Sequence, residues 1–159
     1  MSTTVRIDGV KETIAELRKL DPNLRKKFNA NVREITKPIV QAAQATYRAQ
    51  NFPSGTARKW EQRGRQIFPL DQSKAVRGVS TKISTSRKQA STIVVAQTNP
   101  GAALFEFASN GRLGTAFTGK NGPSPRAMWP AADRNQTQVA SELAKLVEDV
   151  TDQMNRMLL

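Results

Sequence analysis

The chain has 159 residues, carries a formal net charge of +12, and contains neither His nor Cys. Disulfides, thiol nucleophiles, the commonest general base and the commonest metal ligand are thereby excluded, so we expect no enzymatic activity, no cofactor and no metal site. No apolar run approaches the roughly 20 residues that span a bilayer. A length of 159 residues suits one domain, so we expect a single domain, residues 1–159. The first ten residues contain no apolar signal core, so we expect the protein to be made in the cytoplasm.

The positive charge is concentrated in one part of the chain. Fifteen of the 25 Lys and Arg residues lie between Arg25 and Lys88 together with only three acidic residues, and the rest of the chain has no net charge. A charge that serves only solubility is more often spread over the whole sequence. We therefore expect a basic face that meets nucleic acid or an acidic protein.

The N-terminal part predicts one short strand and two helices. Residues 4–8 alternate in polarity as in an edge strand, and residues 10–19 have the apolar spacing of a short helix. Asp21 and Pro22 then begin a long helix that reaches about residue 50, because Asp caps free N–H groups and Pro at the first position loses no hydrogen bond. The apolar stripe of this helix continues across Pro38, which predicts a kink and not a break.

Residues 51–70 predict a basic loop or arm, because Pro and Gly interrupt any regular element there. Two interpretations of its single Trp remain. Either the cations meet phosphates while Trp60 stacks on a base, or Trp60 anchors the arm in a protein partner, and we favour the second. The predicted contacts to DNA or to an acidic partner are Arg58, Lys59, Arg63, Arg65, Arg87 and Lys88.

The C-terminal part predicts a sheet and a second long helix. Residues 75–84, 91–97 and 102–108 suggest three strands joined by short turns, which form an antiparallel meander. Residues 109–125 predict a flexible assembly loop, and an apolar stripe from about residue 133 to residue 159 predicts the last helix. The expected fold class is α+β: an antiparallel meander of three to four strands, two long helices (one Pro-kinked) packed on one face, a short N-terminal helix and extended loops.

Glu106 is the most informative single residue, because it stands inside an apolar run. It either faces solvent or forms a buried or interfacial ion pair with an Arg, such as Arg126 or an Arg of a neighbouring subunit. Together with Glu61 and Asp71 it forms no arrangement typical of a Mg²⁺-dependent nuclease. The predicted interface residues are Trp60, Phe105, Glu106, Phe107, Arg126 and Trp129.

Three short motifs resemble those of a known protein family. They are Pro53-Ser54-Gly55-Thr56 after the long helix, the apolar run Leu104–Ala108 with its central Glu, and the Pro-rich segment Pro123–Ala132 before the last helix. In these motifs and their order the chain resembles the tail-completion or neck proteins of long-tailed phages, the group that includes the minor tail protein Z of lambda-like phages. The basic residues 57–65 depart from that pattern, in which a strand begins directly after the turn.

The resemblance implies a structural virion protein without catalytic residues. It implies a homo-oligomeric ring of six at the head–tail joint, between the head-closure protein and the tail terminator or tail tube, with a contact to packaged DNA as a further expectation. Such a ring would concentrate positive charge that DNA, acidic partners or counterions must neutralise. A tail terminator proper and a free basic nucleic-acid-binding protein are the alternatives.

Overall fold

Five helices and five short strands form the part of the chain that the computed structural model describes, residues 2–5, 22–50, 61–62, 65–66, 71–84 and 92–157. In chain order they are β1 (Ser2–Val5), α1 (Pro22–Ala49), β2 (Glu61–Gln62), β3 (Arg65–Gln66), α2 (Gln72–Gly78), β4 (Val79–Ser84), β5 (Thr92–Gln97), α3 (Pro100–Phe107), α4 (Gly111–Asn121) and α5 (Met128–Met157). Helices hold most of these residues. The predicted helix 10–19 and most of the basic loop 51–70 lie outside the described residues.

The two longest helices pack against each other through their apolar stripes. α1 has nearly the predicted bounds and continues through Pro38, whereas α5 begins at Met128, several residues before the predicted start. The stripe of α1 buries Phe28, Val32, Ile39, Ala43 and Tyr47, and that of α5 buries Val139, Leu143, Leu146, Val150 and Met154. None of the described helices combines the length and the apolar character that crossing a membrane requires.

A three-stranded antiparallel sheet lies against these helices, with β5 between β1 and β4. Val95 at its centre pairs with Thr3 on one side and with Thr81 on the other. The hydroxyls of Thr36 in α1 and Thr81 in β4 share a hydrogen bond of 2.7 Å, which ties the helix to the sheet. β2 and β3 form a separate two-stranded ladder.

The predicted fold class, a meander of three to four strands with two long helices, is wrong. The third predicted strand, residues 102–108, is helix α3, and the described sheet takes its third strand from β1 at the N-terminus. Asn99 and Pro100 start α3, and the Asn99 side chain caps it by accepting a 2.9 Å hydrogen bond from the N–H of Ala102. This is the same kind of helix start that the sequence predicts for α1 from Asp21 and Pro22. The run is too short and too uniformly apolar to show a period, and its lack of β-branched residues favours a helix.

The predicted assembly loop, residues 109–125, also contains a helix, α4. Its glycines lower the intrinsic helix propensity, which is why the composition predicts a loop. Tertiary packing overrides this preference, because Phe117 is buried and its ring meets the ring of Phe105 edge-on at 5.3 Å. Gly122 ends the helix with a φ of +80°, in the left-handed region that favours glycine.

The predicted strand 75–84 is divided between a helix and a strand. Its first part belongs to α2, whose first turn is capped by the Asp71 side chain. Gln72, the first residue of α2, binds the end of α1. Its Nε2 donates to three carbonyl oxygens there, those of Tyr47, Arg48 and Gln50, at 3.0, 2.6 and 3.4 Å. These bonds satisfy carbonyl groups that a helix leaves without an internal partner.

The different surroundings of Gly78 and Gly119 predict opposite effects of a Gly→Ala change on the free energy of unfolding. A Cβ at Gly78 would lie 2.0 Å from Oε1 of Gln97, a side chain held by hydrogen bonds to Ala75 and Asn99. Gly78→Ala should therefore lower the free energy of unfolding by about 1–3 kcal/mol. Gly119→Ala, where a Cβ meets nothing within 4 Å, should raise it by about 0.5–1 kcal/mol. Urea denaturation measures both changes, and an unaffected Gly78→Ala variant would contradict the close approach.

Candidate functional site

The buried carboxylate of Glu106 binds the start of the C-terminal helix. Glu106 lies near the end of α3 and is 1% exposed. Its Oε2 accepts a hydrogen bond from the N–H of Ala127 at 2.8 Å, and its Oε1 accepts from the N–H groups of Met128 and Trp129 at 2.9 and 3.3 Å. The first turn of α5 contains no acidic residue. Glu106 therefore supplies both the missing cap and the negative charge that a helix N-terminus favours.

The guanidinium of Arg126 binds the ends of two other helices. Arg126 is 6% exposed. It donates to the carbonyl oxygens of Gly122 and Ala108, both at 2.9 Å, to the hydroxyl of Thr118 at 3.1 Å, and to the carbonyl oxygen of Phe105. These acceptors lie at the C-terminal ends of α3 and α4, where helices carry partial negative charge. We call Glu106, Arg126 and the three helix ends that they bind the helix junction.

Two aromatic rings complete the surroundings of Arg126. Its guanidinium carbon lies 5.5 Å from the centre of the Phe105 ring and 5.6 Å from that of the Phe117 ring. Such cation–π contacts strengthen when water is excluded. Burial lowers the pKa of Arg126, and the nearby Glu106 carboxylate raises it in part. An arginine remains charged at neutral pH, so the junction holds a buried cation whose charge is balanced by carbonyl dipoles, aromatic faces and Glu106.

The contacts of Glu106 within the chain match neither a solvent-facing carboxylate nor an ion pair with Arg126. The carboxylate is buried and does not face solvent. Glu106 and Arg126, both among the described residues, bind backbone groups and form no ion pair with each other. The sequence contains one indication that Glu106 caps α5, because neither Arg126 nor Ala127, the two residues before that helix, is a favoured capping residue. A helix start without a cap requires a partner from elsewhere in the chain, and an unexplained carboxylate in an apolar run is a candidate.

Two aromatic side chains next to the junction are exposed to solvent. Phe107 follows Glu106 in the chain and is 48% exposed, and Trp129, whose N–H binds Glu106, is 41% exposed. Phe105, Glu106 and Arg126 are instead buried, so they position the surface without lining it. Aromatic residues are enriched at protein interfaces. The interface role of Phe107 and Trp129 therefore stays a prediction, with the helix junction as their support.

The other predicted site residues are less informative. Trp60, Arg58, Lys59, Arg63, Arg87 and Lys88 lie outside the described residues, and of Arg65 only the backbone is described, paired with Gln62 in the β2–β3 ladder. Asp71 caps α2 and Glu106 caps α5, so these two carboxylates have separate structural roles. Within the described ranges, no three or more His, Cys, Asp or Glu residues converge as metal ligands would.

Tyr47 lies beside the junction and is fully buried, with its ring 6.0 Å from that of Phe105. Its hydroxyl makes no hydrogen bond of standard geometry with the described residues. Burial raises the pKa of the Tyr47 phenol, the charge of Glu106 raises it further, and the Gln97 side chain nearby lowers it by a smaller amount. The phenol is therefore held in its neutral form.

This environment predicts a coupling between tyrosine ionisation and alkaline unfolding, which is testable because Tyr47 is the only tyrosine. The folded-state pKa is raised, so the stabilisation from this group is complete below the ordinary pKa of about 10 and decreases above it. In the folded chain, tyrosinate absorbance should not appear as the pH passes that value and should rise only with the loss of helical circular dichroism. The chain unfolded in urea is the control and should ionise near the ordinary value. Ionisation there with the helices intact would contradict the prediction.

The capping of α5 predicts a large effect of Glu106→Ala. The change leaves buried N–H groups without an acceptor and opens a cavity, so the free energy of unfolding should fall by about 3 kcal/mol or more. Glu106→Gln keeps one acceptor oxygen and should have an intermediate effect. Glu148→Ala, on the exposed face of α5, is the matched control and should stay within about 0.5 kcal/mol of the unmodified chain. A Glu106→Ala variant as stable as that control, by chemical denaturation, would show that the cap is dispensable.

Comparisons of this chain with protein-family models, with curated proteins and with solved structures give no match. No relative assigns a role to any residue, so function is inferred from the helix junction, the two exposed aromatic residues and the charged surface. These features describe a chain with a hydrogen-bonded internal support and two exposed aromatic residues next to it, Phe107 and Trp129, which we call the aromatic patch.

Proposed function

We propose that this chain is a structural virion protein of a long-tailed phage, a tail-completion or head–tail connector subunit of the neck. In this proposal it has no catalytic site and forms a homo-oligomeric ring of six that joins the head-closure protein to the tail. One observation carries the proposal. The two motifs nearest the proposed interface, residues 104–108 and 123–132, bind each other in the helix junction.

Each motif supplies the charged side chain that the other one binds. Glu106 of the first motif accepts hydrogen bonds from the backbone of the second, and Arg126 of the second donates to carbonyl oxygens of the first and its neighbours. Replacing Glu106 alone or Arg126 alone would leave a buried charge or buried backbone groups unsatisfied. This reciprocity is a physical reason for the two motifs to occur together in one chain.

The helix junction also meets a mechanical requirement of a ring. A closed ring forms only when every subunit presents its interface at the same angle, so the interface needs a rigid support. Two buried ions fix the ends of three helices beneath Phe107 and Trp129. Aromatic side chains on a rigid support are favoured anchors of protein interfaces. We infer that these two residues contact the neighbouring subunit or the next ring.

The proposal predicts that Phe107→Ser combined with Trp129→Ser abolishes assembly while the subunit stays folded. Each side chain is about half exposed, so each change should lower the free energy of unfolding by about 1–2 kcal/mol, less than the loss expected for Glu106→Ala. Light scattering after size exclusion and electron microscopy of the purified protein should show rings for the unmodified chain and monomers for the variant. Met157→Ser is the matched control, because Met157 is 62% exposed at the opposite end of α5.

Two results would count against the proposal. The first is an unmodified chain that stays monomeric at every concentration and binds no neck or tail component. The second is a double variant that assembles like the unmodified chain, which would remove the aromatic patch from the interface. The alternative position, that of a tail terminator, is distinguished by a reconstruction of the intact particle, in which such a subunit would contact the tail tube and not the head-closure protein.

A further inference from the structure

Two open cavities lie along the contact between α1 and the continuous segment formed by α2 and β4. The hydrogen bond between the hydroxyls of Thr36 and Thr81, at 2.7 Å, fixes one end of this contact, and that from Gln72 to the carbonyl oxygen of Arg48, at 2.6 Å, fixes the other. The two elements therefore run antiparallel, since residue 36 lies beside residue 81 and residue 48 beside residue 72. We call the surface along this contact the basic seam.

Four exposed cations line two open cavities of the seam. Arg33 and Lys37 line a cavity of about 340 Å³ between α1 and β4, and Arg48 and Arg77 line one of about 290 Å³ between α1 and α2. Arg33 and Arg48 are separated by about 22 Å along α1, at the 1.5 Å rise per residue of an α-helix. The seam is therefore a line of positive charge and not a single point.

These charges are only partly neutralised. Lys37 pairs with Glu34 at 3.0 Å, an exposed pair of low energy. Arg33, Arg48 and Arg77 form no ion pair with the described residues. Among the described residues, each arginine of the smaller cavity has one long hydrogen bond of 3.4 Å, within its own helix, so most of its guanidinium N–H groups have no described partner. The outer face of α5 differs, since that helix contains five acidic and three basic residues.

The lining of the seam distinguishes between kinds of anionic partner. Besides the cations it includes Gln72, Ser73, Ser80 and Thr81, residue types that bind phosphate oxygens, together with the carboxylate of Glu34 and three small apolar residues, Val40, Val76 and Val79. The large hydrophobic residues exposed in the described ranges are Phe107, Trp129 and Met157, and none of them lines either cavity. A protein partner would use apolar or aromatic anchors, and a single strand would stack its bases on aromatic rings. Contact with the phosphates of a duplex needs neither.

We propose that the basic seam binds the phosphate backbone of double-stranded nucleic acid without reading its sequence. A duplex carries one phosphate per about 1.7 Å of helix axis on its two strands together, so a length of about 22 Å carries about 13 phosphates, and those on the side that faces the seam can meet four cations. Arginine is suited to this contact because its planar guanidinium binds phosphate oxygens in pairs. The proposal does not depend on ring assembly, since a single subunit contains the whole seam.

The test compares two variants of equal net charge. In the seam variant Arg33, Lys37, Arg48 and Arg77 are each changed to Gln. In the control variant Arg112, Lys120, Lys145 and Arg156, exposed residues of α4 and α5, are changed to Gln. Fluorescence anisotropy with a labelled DNA duplex measures affinity over a range of salt concentrations. The free energy of unfolding of each variant checks that it is folded, and the single changes Arg33→Gln and Arg77→Gln replace the seam variant if it is not.

The seam variant should reduce the slope of log affinity against log salt by about 3 to 4, and each single change should reduce it by about 1. The control variant should change the slope by less than 1, since its residues lie outside the contact. Equal losses in the two variants would overturn the proposal and assign binding to the overall charge or to basic residues elsewhere. Tighter binding of single-stranded DNA, or competition by polyglutamate as effective as that by unlabelled duplex, would overturn it in favour of another partner.

Discussion

The hydrogen bonds between Glu106 and the first turn of α5 are the constraint on which the C-terminal part of the structure depends. α5 contributes a long apolar stripe to the core, and its start is fixed by a residue from a helix that precedes it in the chain. Arg126 fulfils the opposite role at the ends of α3 and α4. Each charge therefore meets helix dipoles of the opposite sign, which offsets the cost of burying it.

This arrangement separates the two surfaces for which we propose functions. The aromatic patch lies where α3 meets α5, and the basic seam lies between α1 and the α2–β4 segment. The apolar stripes of α1 and α5 connect the two regions through the core. The proposed protein contact and the proposed duplex contact use different elements, so in these proposals neither contact requires the other to be released.

Periodic patterns in the sequence identify α1 and most of α5, because each has enough residues to show its spacing, and the β-branched run at residues 93–95 identifies strand β5. The strand predicted for residues 102–108 is wrong because so short an apolar run shows no period, and only its lack of β-branched residues favours the helix. α4 was missed because its glycines favour a loop, and only the packing of Phe117 on Phe105 reverses that preference. Glu106 is unusual in its apolar run, and the sequence leaves a solvent-facing carboxylate and an ion pair with Arg126 or an Arg of a neighbouring subunit as alternatives. Backbone groups of distant helix ends are partners that spacing alone does not reveal.

The hydrogen bonds of Gln72 have a consequence for how this chain can vary. They hold the end of α1 and the start of α2 together, so Gln50 and Gln72 lie close to each other. The closure cost of an intervening segment grows only with the logarithm of its length, by about 0.6 kcal/mol for each doubling. The number of residues between these two points can therefore change during evolution at little added closure cost, in a segment that contains the basic residues 57–65.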